Sequence, residues 1–495
     1  MNEKMKMTGI TLLGLGPGDP ELLTLEAWQH LQQISEIYLR TNQHPTVAGF
    51  PENLIVHSFD NIYDTSDSFE MVYEKIIESV LELGKRPQGV TYAVPGHPFV
   101  AEATCPEIAK RAKLLNIPVR IIEAVSFLEP TFTALEIDPF PDLVMMDALD
   151  LAASHHPIIA PNRPALIAQI YSRRVAADVK LTLLNVYPDE HPVKLVHGAG
   201  TRNQMVEKLF LYEIDRSDKI GLLTSLYLPL LGEKTSLEEF QDLIAHLRAP
   251  DGCPWDRKQT HTSLRKHLLS ETYELIAALD EQDPAHIQEE LGDLLLQIVL
   301  HAQIAFEDGE FAMADVLRGI NQKIVRRHPH VFGDVQVDGV GGVLSNWEKI
   351  KEQERAENGK SELQGILSGV PMEYPALAQA QEMQDRAKRV GFDWSDIAAV
   401  KDKVLEEWQE VAEARNQKER ASELGDLLFA VVNLIRWYEL DAETALREAN
   451  QRFRTRFNYI EENVQVNGRK LSEMTLAEMD KFWEQAKKLE SKKDL

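Results

Sequence analysis

Beyond position 230 of this 495-residue chain, one acidic pattern occurs twice in the same order. Glu271-Thr272-Tyr273-Glu274, Glu290-Leu291-Gly292-Asp293-Leu294-Leu295 and Trp347-Glu348 return as Glu407-Trp408-Gln409-Glu410, Glu423-Leu424-Gly425-Asp426-Leu427-Leu428 and Trp483-Glu484. The three segments are displaced by almost the same distance along the chain, so insertions between the copies are small and chance is a poor account of them. Apolar residues fall at three- and four-residue spacing, as in Leu291–Leu294–Leu295–Ile298–Val299 and Leu424–Leu427–Leu428–Val431–Val432, which predicts packed amphipathic helices. This part of the chain should therefore be all-α and built from two related modules.

The preceding residues are of a different kind. They hold most of the 24 prolines, and charged residues are sparser among them than beyond position 230. Short β-rich runs (Ile10–Leu15, Val90–Val94, Val119–Ile122, Leu181–Val186) alternate with helical stretches such as Glu21–Tyr38 and Phe69–Leu83, the pattern of an α/β sheet. The expected division is an α/β domain at 1–225, a linker at 226–234 containing Pro229 and Gly232, and helical modules at 235–360 and 361–495.

Each Glu-x-x-Glu and Glu-x-x-Asp pair sits at i, i+3, so both carboxylates leave one helix face, and four converge if the two helices of a module pack. Bare, such a set repels itself. A hard divalent cation resolves the repulsion, and oxygen-only ligation suits Mg²⁺, or alternatively Mn²⁺, better than zinc. A solvated acidic face is the competing reading of a single pair. The repetition, with Gly-Asp set inside an apolar run, favours metal, and Gly292 and Gly425 are expected to permit close helix approach. Basic segments follow each set: Lys323 to His328 in the first module, and Arg452 and Arg456 on one helix face in the second. The latter two suit phosphate oxygens, whereas salt bridges to nearby glutamates would be the plain alternative.

In the front part, Gly14-Leu15-Gly16-Pro17-Gly18-Asp19 and Val94-Pro95-Gly96-His97-Pro98 each follow a strand, and Ala124-Val125-Ser126 follows a third. The three turns should line one cleft. Pro17 and Asp19 break the dinucleotide-binding fingerprint.

A net charge of −26 argues against binding a nucleic acid polymer or an anionic membrane surface. Cys105 and Cys253, the only cysteines, offer no disulfide framework, and a reducing cytoplasm is expected. Met1–Ile10 leads straight into the first turn and is read as a strand, not a signal peptide. The apolar run Ile220–Leu231 is too short to span a membrane.

From about Thr235 to Leu489 the chain resembles the MazG family of nucleoside triphosphate pyrophosphohydrolases. Glu406-Glu407-Trp408-Gln409-Glu410 with Glu423 and Asp426 matches the family's E-E-x-x-E and E-x-x-D motifs, and Gly252-Cys253-Pro254-Trp255-Asp256 resembles its entry loop. The first copy departs at Ser270, so the second is the expected active one. The resemblance implies Mg²⁺ held by Glu407, Glu410, Glu423 and Asp426, with Glu271, Glu274, Glu290 and Asp293 as the first-module counterparts. It further implies phosphate contacts from Lys403, Arg452 and Arg456, Trp483 near the base, and cleavage of the α–β phosphoanhydride to a monophosphate and pyrophosphate.

Residues 7–225 resemble the tetrapyrrole (corrin/porphyrin) methylases, which fold as two α/β subdomains around S-adenosylmethionine. Pro17, Gly96, His97 and Ser126 would then border the donor or substrate, with His97 standing where the family usually has an acid. The whole chain resembles a YabN-type fusion of the two families. A hydrolase acting on nucleoside triphosphates is the preferred reading, and a ligand-sensing protein on a helical dimer scaffold is the other. Either should form at least a homodimer, since helix pairs this small bury more by pairing across a symmetric interface.

Overall fold

The computed structural model describes residues 9–64, 68–357, 365–466 and 468–490. The chain divides into two compact units, Met1–Leu317 and Arg318–Leu495. The division falls inside the Met313–Arg327 helix, so the composition shift near residue 230 marks the change from sheet to helix and not this boundary.

The first unit opens with a five-stranded parallel sheet, in the order β3-β2-β4-β1-β5, made of β1 (Ile10–Gly14), β2 (Glu36–Leu39), β3 (Ile55–Ser58), β4 (Val90–Val94) and β5 (Val119–Ile122). Strands β1 and β4 are buried at every position, as parallel strands covered on both faces must be. One face packs on the Phe69–Gly84 and Thr104–Leu114 helices through Ile76, Val80 and Ile108, and the other on Ala27 and Leu31. A second sheet, in the order β6-β7-β10-β8-β9, contains β6 (Val144–Asp147), β7 (Ala165–Ala168), β8 (Pro192–His197), β9 (Met205–Phe210) and β10 (Thr224–Leu228), and is antiparallel except for the β6–β7 pair.

Three sequence expectations change here. Glu21–Tyr38 is not one helix. Thr24 caps a seven-residue helix, Leu25–Leu31, after which Ile37 and Leu39 alternate into β2. Leu181–Val186 is not a strand: Ser172 caps the helix Arg173–Leu183, whose Val175, Ala176, Val179 and Leu183 form a buried helical stripe. The expected linker start at 226 lies within β10, where Leu226 and Leu228 belong to the second sheet's core.

The helical part is built from capped hairpins. Asp283 caps Pro284–Glu307 directly after Gln282 turns left-handed at the end of His261–Glu281, leaving a two-residue connection that forces antiparallel packing. Val299, Leu300 and Ile304 pack with Ile244 of the Leu237–Arg248 helix, and Arg248 pairs with Glu307 at 2.7 Å. In the second unit Asp396 caps Ile397–Glu413 and Asn416 caps Gln417–Trp437, another helical hairpin. No helix among the described residues is long and apolar enough to cross a membrane.

Candidate active site

In each module the hairpin brings three glutamates together. Ligand oxygens of Glu407, Glu410 and Glu423 lie within 4.8 Å of one another, as do those of Glu271, Glu274 and Glu290. Asp426 and Asp293 stand one turn further along their helices, outside these tight groups. Asp293 is nonetheless close enough for its charge to act on Glu271.

One acid of each set is buried, and the two sets differ in which. Glu407 is 6% exposed; Lys403, one turn earlier, holds its Oε1 at 2.7 Å, while Oε2 is buried with no hydrogen-bond partner. In the first module the buried acid is Glu290, on the second helix, with His286 Nε2 at 3.2 Å from Oε1 and Oε2 again unpartnered. An unpartnered buried carboxylate oxygen is costly, and each set holds one that a cation could satisfy. Desolvation, then the charges of Glu407 and Glu423, push the Glu410 carboxyl up. Glu271 is raised by desolvation and then by Glu274, Asp293 and Glu290. Hydrogen bonds to Glu407 and then Glu406 hold the Lys403 ammonium above its ordinary range. The donor set is all oxygen, so it fits Mg²⁺ or Mn²⁺.

A cavity of about 560 Å³ adjoins the second set, lined by Lys403, Glu407 and Asp426 on one side and by Phe392, Asn433 and Arg436 on the other. The sequence reading missed the second group. Arg436 inside an apolar helical run, 8% exposed, was the available signal, since a buried guanidinium requires a partner and so points to an unassigned acid.

Other expected residues lie elsewhere. Arg456 donates to Glu490 from Nε at 2.9 Å and Nη2 at 2.7 Å and sits over Trp483, 5.4 Å from the ring centroid. Trp483 packs against Phe453. Neither Arg456 nor Trp483 lines the cavity, and Arg452 is half exposed, with Glu448 at 3.6 Å. Arg326 and Arg327 both pair with Glu354 at 2.6 Å, the plain salt-bridge outcome. Ser270 donates to Glu274 at 2.9 Å, occupying an acid of the first set. Gly292 and Gly425 do not mediate close helix approach, because a Cβ at either would meet nothing within 4 Å. The leucines beside them are exposed as well: the stripes of Leu291, Leu295, Leu424 and Leu428 face outward.

In the front domain the turns after β1 and β4 meet. Gly16 and Gly96 form an isolated antiparallel bridge, both at positive φ, and a Cβ on Gly14 would lie 2.5 Å from Ala124 of the third turn. Pro17 and Gly96 line a cavity of about 160 Å³ with Arg40 and His44. His97 and Ser126 do not line it; His97 Nδ1 accepts from the Phe99 amide at 3.1 Å, and Ser126 Oγ donates to Glu129 at 2.6 Å. Arg40 is bound to the buried Glu102, and burial pushes His44 down to about 4, leaving it neutral.

Comparison with known proteins agrees with this architecture. Residues 259–332 and 396–460 match the model of the MazG nucleotide pyrophosphohydrolase domain, and residues 9–215 that of the tetrapyrrole (corrin/porphyrin) methylases. The uncharacterised protein YabN of Bacillus subtilis is 42% identical over 490 residues, spanning 97% of this chain and 99% of its own. The chain belongs to the YabN-type fusions of a tetrapyrrole methylase domain with a MazG domain. Over its helical part this family member also resembles the Thermotoga maritima nucleoside triphosphate pyrophosphohydrolase/pyrophosphatase MazG, 46% identical over 250 residues, which cover 50% of this chain and 95% of that protein. The Escherichia coli (strain K12) nucleoside triphosphate pyrophosphohydrolase is 41% identical over 260 residues, 51% of this chain and 98% of that protein.

Proposed function

We propose that this protein hydrolyses nucleoside triphosphates at the α–β phosphoanhydride, releasing a nucleoside monophosphate and pyrophosphate, with the second helical module as its active one. The observation that carries the reading is Glu407: a buried, unpartnered carboxylate oxygen among two further glutamates, beside a cavity large enough for a small-molecule substrate. Glu407, Glu410, Glu423 and Asp426 would hold Mg²⁺, or Mn²⁺ in its place. Bound there, the cation supplies charge neutralisation at the phosphates and a water of lowered pKa.

The chain's own groups do the rest. A carboxylate of the set accepts the proton of the attacking water. The water oxygen bonds to the α-phosphorus, and the bridging oxygen leaves with pyrophosphate. Lys403 offsets the triphosphate charge, whereas Arg452, beside Glu448, does not line the cavity, Arg456 would first have to leave Glu490, and Trp483 its arginine partner. Glu271, Glu274, Glu290 and Asp293 form a second metal set whose Glu274 is tied to Ser270.

For domain organisation we infer a methylase-like domain through Leu228, a short linker to about Lys234, and the two modules after it. For S-adenosylmethionine, Pro17 and Gly96 would border the donor at the front cavity, which Arg40 and His44 also line, with Arg40 23% exposed and paired to the buried Glu102. No methyl-transfer step is assigned. The outward leucines and Trp408 support a homodimer, the two free cysteines a cytoplasmic location, and the net charge of −26 the absence of a nucleic acid partner. Incubating the protein with mixed nucleoside triphosphates and Mg²⁺ tests the activity: pyrophosphate should appear, and its absence would overturn the reading.

A further inference from the structure

Resting on the pyrophosphohydrolase reading, we propose that the cavity beside Glu407 and Asp426 receives the nucleobase, and that Asn433 reads the edge of that base. Asn433 Oδ1 accepts from Arg436 Nε at 3.0 Å and Nη2 at 2.7 Å. A guanidinium has only donors, so it fixes which end of the amide it faces, and on a residue that lines the cavity the NH₂ group is the end Arg436 does not engage. Arg436 is itself locked, giving Nη2 to Asp393 at 2.6 Å and Nη1 at 3.2 Å.

Asp393 also accepts from the Trp394 amide at 2.9 Å and from Trp437 Nε1 at 3.2 Å, which pins the loop carrying two aromatic side chains at the cavity. Phe392 is 82% exposed and Trp394 43%, large apolar surfaces left uncovered beside a polar floor. Aromatic faces presented in this way stack on any base. On the other wall Gln384 gives Nε2 to the Phe429 carbonyl at 2.9 Å and keeps Oε1 unpartnered, although the residue is only 8% exposed. One amide donor, one amide acceptor and two aromatic faces complement a base, since every base edge carries both acceptors and N–H donors. A bare phosphate could accept from the amide donor but would use neither the amide acceptor nor the aromatic faces.

The first module lacks the device. The alignment that sets Glu290 on Glu423 puts Leu300 in the place of Asn433 and Gln303 in that of Arg436, and Leu300 lies in the helical core. Base recognition therefore belongs to the second module.

The test uses the full chain and two variants, Asn433→Leu and Phe392→Ala; the second removes an exposed side chain and leaves folding intact. With Mg²⁺ and a nucleoside triphosphate, both should raise KM about tenfold with kcat within about twofold, because base contacts are made equally in ground and transition states. In EDTA, AMP, GMP, CMP or UMP should quench tryptophan fluorescence in the wild type but not in Trp394→Phe. An unchanged KM in both variants of an active enzyme, or no quenching by any monophosphate, would overturn the proposal. If the wild type releases no pyrophosphate, the activity reading fails instead, and quenching at Trp394 still decides the pocket.

Discussion

Arg436 and Asp393 are joined across 43 residues of chain by two hydrogen bonds, at 2.6 and 3.2 Å, between side chains that are 5% and 15% exposed. The pair ties the loop that closes one end of the Ala376–Arg389 helix to the second helix of the carboxylate hairpin. It thereby links the stability of the second module to the shape of its cavity.

Asp393→Asn should cost about 3 kcal/mol, because it removes the hydrogen-bonded counter-charge of a buried guanidinium and leaves only Asp385, at 3.8 Å. Urea denaturation measures this, and a loss near zero would show that Asn433 and Asp385 satisfy Arg436.

The same pair sets an acid limit. Burial pushes the Asp393 carboxyl up, but hydrogen bonds from Arg436 and the Trp394 amide outweigh it and hold it below the ordinary aspartate value. A group with a depressed folded-state pKa contributes stability that is fully present above its unfolded value, about 3.9, and is lost as pH falls through the folded value. The melting-temperature gap between wild type and Asp393→Asn should therefore hold constant from pH 6 to about 4 and narrow below that. Parallel curves would assign the acid limb to other carboxylates.

Glu410→Ala should lower pyrophosphate release at least about 100-fold, since a ligand loss costs no less than the loss of an outer partner. Without metal the remaining acids repel less, so the melting temperature of the metal-free protein should stay level or rise. Glu274→Ala should cost less. Near-wild-type turnover in Glu410→Ala, with loss in Glu274→Ala, would move the activity to the first module.

Leu428, 60% exposed on the Gln417–Trp437 helix, should lie in a homodimer contact. Sedimentation at micromolar concentration should show more than the 56.2 kDa of one chain, and Leu428→Glu should shift it toward the monomer. A stable wild-type monomer would overturn the expectation.

S-adenosylmethionine or its demethylated product should give a weak but measurable heat in calorimetry with the full chain, since the turns carrying Pro17 and Gly96 are in place while His97 stands where the family usually has an acid. No heat with either ligand, in protein whose helical part is active, would overturn the expectation.

The acidic spacing at i, i+3, the in-order duplication of the carboxylate segments, and the glycine turns after β1 and β4 were legible in the sequence because each is a pattern carried by the residues themselves. A helix face follows from 3.6 residues per turn, and a turn from a residue that tolerates positive φ. Together with the alternation of β-rich and helical runs and the three- and four-residue apolar spacing, these patterns gave the α/β front, the helical repeats, and the glutamates that the hairpins bring within 4.8 Å. Local pattern failed where two states share it. Leu181–Val186 has the apolar content of a strand, but Leu183 completes the buried stripe of the Arg173–Leu183 helix on the second sheet's core while Leu181 faces outward.

Tertiary structure alone decided which acid of each set is buried, Glu290 in one hairpin and Glu407 in the other, because that depends on how each helix is rotated against its neighbour. It also committed Arg456 to Glu490, left Gly292 and Gly425 facing open space, and brought Asp393 to Arg436. These are pairings between residues distant in sequence or on separate helices. Spacing within one helix determines a face, but what that face meets is set by the burial of the whole unit.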